Sequence, residues 1–144
     1  MTAKVYNADQ VTVAYGPVLL GSGQADGEFL RVEQEADDFE DVVGAGGEVV
    51  RSKTNDRRAT ITLVLLQTAA ENDLLSAISN IQRETGLGSE PLLVKDNNGR
   101  AIYKAEQAWI MRAPDASFDR TATSREWAIR CASLERFDGG NASV

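Results

Sequence analysis

The 144-residue chain contains no histidine and a single cysteine, Cys131. Without histidine, the commonest general base, the usual partner of an activated nucleophile and the usual nitrogen ligand of zinc are all missing. One thiol cannot close an intramolecular disulfide, so neither oxidative stapling nor structural zinc is expected to hold the fold. No apolar run approaches the roughly 20 residues a membrane helix needs, and the opening MTAKVYNADQ lacks the apolar centre of a signal peptide. The expectation is a soluble, cytoplasmic chain with no membrane binding. Basic charge is also scarce, with 15 Lys and Arg against 22 Asp and Glu and a net charge of -7. The imbalance lies in the first half, where residues 1–72 hold 12 acids and 6 bases while residues 73–144 hold 10 and 9. A phosphate-gripping surface has the opposite balance, so tight nucleic-acid binding is disfavoured, whereas an acidic wall past which DNA slides is compatible.

What is present is ordinary globular material. A hydrophobic fraction of 42% and a charged fraction of 26% exclude wholesale disorder, and the length suits one domain spanning residues 1–144 with a real core. QVTVAYG alternates valine with polar residues before breaking at Gly16-Pro17, which reads as a strand. In GEFLRVEQEA the two-residue period puts Leu30, Val32 and Ala36 on one face and Arg31, Glu33 and Glu35 on the other.

RATITLVLLQTAAENDLLSAI reads as a strand, a turn and a helix. Ile61, Leu63 and Leu65 point inward, and Val64 with Leu66 makes the other face apolar too, so cover on both sides is expected there. Thr68 followed by Glu71 has capping-box spacing, and a helix is expected from about residue 69 to 85, closed by Gly86. Leu74, Leu75, Ile78 and Ile81 form its apolar stripe. Asn98-Gly99 then marks a hairpin, and Pro114 ends the second of its strands. TSREWAIRCASLERF alternates once more, with Trp127, Ile129 and Cys131 on one face; a frayed tail at about 138–144 follows. Seven or more strands with one helix make a mainly β fold, an antiparallel sandwich or barrel with one flanking helix.

A second hairpin, from about residue 37 to 55, has Val42-Val43 and Val49-Val50 flanking glycines at 44, 46 and 47. Its first limb carries Asp37, Asp38, Glu40 and Asp41, and its second Arg51 and Lys53, with Arg57 and Arg58 just beyond. Two readings stand: a solvated hairpin paired within itself, or an arm that meets a complementary arm of a neighbour.

Chemistry finds little purchase. Cys131 lies between apolar neighbours and reads as a buried small side chain. The glycines of GSGQADG miss both the dinucleotide and the Walker spacing and precede a strand, so they form a connecting loop. EQEADDFED holds six acids in nine residues without the ligand alternation of a calcium loop. Trp109 and Trp127 read as core. No catalytic, cofactor-binding or metal-ligating residue is assigned, and no cofactor is expected.

DDFEDVVGAGGEVVRSKTNDRRATITLVLLQTAAENDLLSAI, followed by PLLVKDNNGRAIYKAEQAWIMRAP, resembles the tail tube protein of contractile-tailed bacteriophages, in one of its compact single-domain families. The likeness spans roughly Val11 to Ile129 and includes Gly16-Pro17 and the GEFLRVE strand. The family pattern has an acidic residue where this chain has Gly46, a departure confined to a turn.

That resemblance implies a structural protein of the virion tail, assembled in the bacterial host cytoplasm as stacked hexameric rings inside a contractile sheath. Its implied partners are itself, the tail sheath protein, the tape-measure protein and the baseplate, with DNA passing through the lumen without specific binding. Glu33 and Glu35 are then candidate lumen acids. Asp37, Asp38, Glu40, Asp41, Arg51, Lys53, Arg57 and Arg58 are candidate inter-subunit contacts. The alternatives are a tube of a secretion system or tail-like bacteriocin, a monomeric ligand-binding β-barrel, and a carboxylate-dependent hydrolase.

Overall fold

The computed structural model describes residues 3–21 and 23–141. Among them a 3-10 turn (Ala8–Gln10) leads into β1 (Val11–Tyr15), β2 (Val18–Leu19), β3 (Leu30–Gln34), β4 (Phe39–Val43), β5 (Val49–Lys53) and β6 (Ala59–Leu66). The helix α1 (Glu71–Thr85) precedes β7 (Glu90–Asp96), β8 (Ile102–Arg112), β9 (Ser124–Cys131) and β10 (Glu135–Phe137). Eight strands make one antiparallel sheet in the order β2-β1-β7-β8-β9-β6-β3, with β10 also on β8, and β4-β5 form a separate two-stranded sheet. The fold is mainly β and sandwich-like with a single flanking helix. Among the described residues β2 and β3 are the two ends of the large sheet and do not bond each other, so no closed barrel is formed by them.

The bend comes from β8. Its first part pairs with β7 and β10, while Ala108 to Arg112 pair with β9. Register shifts at Glu90/Leu92 and Ile110/Arg112 accompany the change of partner. Ala105 and Ala108 are both buried although three residues apart, so the alternation slips once between them, as a bulge requires. The sheet can then fold over one core holding Val13, Tyr15, Leu92, Val94, Trp127, Ile129 and the inward row of β6. Each such large side chain removed from water contributes about 1.5–3 kcal/mol.

Several expectations change in the structure. The helix begins at Glu71 rather than residue 69, and Ala70 caps it without a side-chain hydrogen bond. The capping box does not form because the Glu71 carboxylate is drawn elsewhere, its Oε1 accepting from the Gly21 N–H at 3.0 Å. Gly86 does close the helix, in the left-handed conformation with φ 72°, its N–H donating to the Gln82 carbonyl. The inward face is Leu75, Ile78, Ser79 and Gln82, whereas Leu74 and Ile81 are exposed. Leu66 is likewise exposed, so β6 is not covered on its second face at that end. Trp127 is core, but Trp109 is 38% exposed, since it sits between inward Ala108 and Ile110.

The expected single strand near the C-terminus is two: β9 stops at Cys131, and β10 crosses to β8. Of the tail expected at 138–144, residues 142–144 lie outside the described residues. Gly140 accepts from the Arg100 N–H at 3.1 Å, and Asn141 bridges Gly99. That contact explains the glycine of the Asn-Gly turn, where a Cβ would stand 2.6 Å from the Gly140 carbonyl oxygen.

Cys131 is fully buried, and burial pushes its thiol up to about 11. Burial raises Tyr15 as well, against the lowering effect of its Gln82 hydrogen bond. A raised folded-state value favours the neutral form, so the associated stability is whole below the unfolded thiol's value and falls as pH rises from about 9 towards 11. The expected result is loss of about 1 kcal/mol from the Cys131 contribution at pH 10, read from urea midpoints at pH 8 and 10. Cys131→Ala flattens that slope, and the native thiol resists alkylation until denaturant is added.

Candidate assembly surfaces

Three surfaces bear first on assembly: the β4–β5 arm, the outer face of the large sheet, and the sheet's two ends. All ten strand residues of the arm are exposed. Its register pairs Phe39 with Lys53, Asp41 with Arg51 and Val43 with Val49 on one face, and Glu40 with Ser52 and Val42 with Val50 on the other. The Arg51 guanidinium lies over the Phe39 ring at 4.4 Å. Both faces thus expose valines near the tip, where an isolated hairpin in water has no reason to place them.

The structure therefore brings Asp37, Asp38, Glu40, Asp41, Arg51 and Lys53 onto one protruding element. Asp38 accepts from Gln34 Nε2 at 2.9 Å, which stiffens the root. Arg57 and Arg58 lie below the arm rather than on it. Arg58 is bound within its own chain: it pairs with Asp56 at 2.8 Å and through further hydrogen bonds, which hold the Asp56 carboxyl down to about 2. The four exposed valines lie outside the charge pattern, although Val42-Val43 and Val49-Val50 are legible in the sequence as an apolar pair on each limb.

Glu33 and Glu35 share the outer sheet face but not one environment. Glu33 is exposed and stands opposite Thr60. Glu35 is tied down, accepting from the Thr60 hydroxyl and pairing with Arg130 at 3.6 Å. Arg130 Nε also donates to Thr60 Oγ1 at 3.2 Å, and its Nη2 lies 3.0 Å from Met111 Sδ. With Arg31 and Glu126 alternating outward on the neighbouring strands, this face mixes both signs of charge rather than presenting acids alone.

At the ends of the large sheet, β2 and β3 each have one edge unpaired among the described residues. Such edges template pairing with another chain unless they are covered. Among the described residues no group of three or more His, Cys, Asp or Glu is arranged to hold a metal ion.

Residues 6–139 match the family model for the bacteriophage PhiTE tail tube protein. A curated relative, structural protein ORF10 of Pseudomonas phage KPP10, is 30% identical over 146 residues, covering 96% of this chain and 84% of its own length. Solved structures share the fold at low identity. The sheath/tube terminator of the extracellular contractile injection system PVC aligns with TM-score 0.65 and 13% identity, over 94% of this chain and 98% of that one. The anti-feeding prophage tube-terminating cap gives 0.62 and 9%, over 99% and 95%. A chain of the gene transfer agent virion gives 0.60 and 16%, over 92% and 99%.

Proposed function

The chain belongs to the bacteriophage PhiTE tail tube protein family, and we propose that its copies join side by side into hexameric rings that stack as the DNA conduit inside a contractile sheath. It is a structural component of a virion tail, not an enzyme, and its role is oligomeric and conduit-forming.

The pair of open sheet ends, together with an arm exposed along its whole length, is the observation that supports ring formation. An edge strand and an exposed apolar hairpin are both satisfied by a neighbouring copy, and a head-to-tail contact repeated by rotation closes a ring. The outer face of β3, β6 and β9 is the natural lumen wall, carrying Glu33, Glu126 and the Arg130-bound Glu35. A wall of mixed charge holds phosphate weakly, which suits passage of DNA without specific binding. A sheath-like partner surrounds the tube, and tape-measure and baseplate proteins set its length and start. Fold likeness to the cap and terminator components of other contractile injection systems supports a second reading, in which the same tube carries another cargo.

Electron microscopy of the purified protein, alone and with its baseplate, tests the reading: rings or tubes support it, and a uniform monomer in both preparations overturns it. The acids of the arm enter through Asp37→Lys with Asp38→Lys. In that variant stacking weakens most at low salt, because exposed pairs contribute about 0–1 kcal/mol each and act only through repetition around a ring. Tubes equally stable at every salt concentration would remove the charged residues from the interface.

A further inference from the structure

A groove of about 750 Å³ lies between the C-terminal end of α1, the segment from Gly86 to Ser89, and the second half of β8. Leu87 is 75% exposed there, and Trp109 and Met111 show their side chains beside it. Arg83 and Arg112 also line the groove, and no acid does. Arg112 pairs loosely with Asp115 at 3.5 Å in solvent. The groove is therefore apolar with a positive rim.

The arm is its chemical counterpart. Residues 37–55 carry five acids and two bases, and both bases, Arg51 and Lys53, lie on the Phe39 face. The opposite face shows Val42, Val50 and Glu40 without any cation. The arm springs from between β3 and β6 at one end of the sheet, while α1 packs against β8 and β2 towards the other end. A head-to-tail neighbour would bring the two flanks together.

From this complementarity we infer that the Glu40–Val42–Val50 face of the arm docks into the α1–β8 groove of an adjacent copy, with the valines on Leu87 and Trp109 and Glu40 at the arginine rim. The inference rests on the assembly reading above and names the acceptor that reading leaves open. The contact is heterologous, so each copy gives one arm and receives one.

Cysteine cross-linking tests it, since the native Cys131 is buried and silent. Val42→Cys and Leu87→Cys change exposed positions, so both variants are expected to fold. Proteins carrying one substitution each are mixed, assembled and oxidised with copper–phenanthroline. The expected product is a disulfide-linked dimer of unlike chains, and the doubly substituted chain gives a ladder. In parallel, Leu87→Asp raises the concentration needed for assembly about tenfold or more while leaving the melting curve in place. Tubes that form without the cross-link overturn the inference and leave the assembly reading intact. So does a Leu87→Cys link to Phe118→Cys of the neighbour in place of the arm. A protein that stays monomeric with and without baseplate defeats both.

Discussion

Replacing residues 37–55 by a two-residue Asn-Gly turn abolishes assembly at concentrations where the intact chain forms tubes, yet moves the thermal midpoint by no more than about 3 °C. The splice is sterically available because the root of the arm is already closed, with the Glu35 N–H donating to the Arg58 carbonyl at 3.2 Å. Stability is spared because the strands of the arm bond to each other and bury nothing against the core. Assembly is not spared: burying even two valines against a neighbour contributes about 3 kcal/mol, equivalent to roughly a hundredfold in the assembling concentration. Sedimentation and microscopy read one effect and calorimetry the other. Tubes of normal yield from the shortened chain would show that the arm is not the joint.

The second large effect lies inside the subunit. Gln82→Met lowers unfolding free energy by about 2–4 kcal/mol, seen as a shifted urea midpoint with unchanged slope. Gln82 Nε2 donates to Tyr15 Oη and to the Gly88 carbonyl, both at 2.9 Å, and its Oε1 accepts from the Ile110 N–H at 3.0 Å. One amide thereby fastens the helix to β1, β8 and the segment that follows the helix. Methionine fills similar volume but leaves the Ile110 N–H without its partner, and Tyr15 keeps only its own donation to the Ala108 carbonyl. The contrasting substitution is Leu74→Ala on the same helix, expected to cost less than about 1 kcal/mol because Leu74 is 50% exposed. A larger loss at Leu74 than at Gln82 would place the helix in the wrong rotational setting.

That contrast shows where sequence reading ends. Hydropathy alone puts Leu74 and Ile81 in the stripe and Gln82 outside it. The three partners of Gln82 lie on β1, on β8 and beyond the helix, and no local pattern announces them. The same holds for Glu71, whose capping role is lost to Gly21, 50 residues away. Where the determinants are local, the sequence is legible: the valine pairs around Gly44 to Gly47 give the arm, Asn98-Gly99 gives its turn, and Gly86 gives the helix stop. The inward rows of β6 and β9 follow from alternation, as does the outward placing of Glu33. Trp109 misleads because aromatic character suggests burial, whereas its position between Ala108 and Ile110 sends it outward. The tie from Glu35, just past the end of β3, to Arg130 on β9 spans β6, and only the sheet order brings them within reach.

The Asn-Gly turn gathers more than its own hairpin. Asn98 exchanges hydrogen bonds with the Asn7 backbone on one side, Asn141 meets Gly99 on the other, and the Asn141 amide reaches the Val5 carbonyl at 3.5 Å. Residues 5, 7 and 141, far apart in sequence, therefore meet at one corner of the molecule. A short peptide could splice them, and fresh ends could be opened in the exposed 115–122 segment, giving a circularly permuted subunit with the same hydrophobic interior.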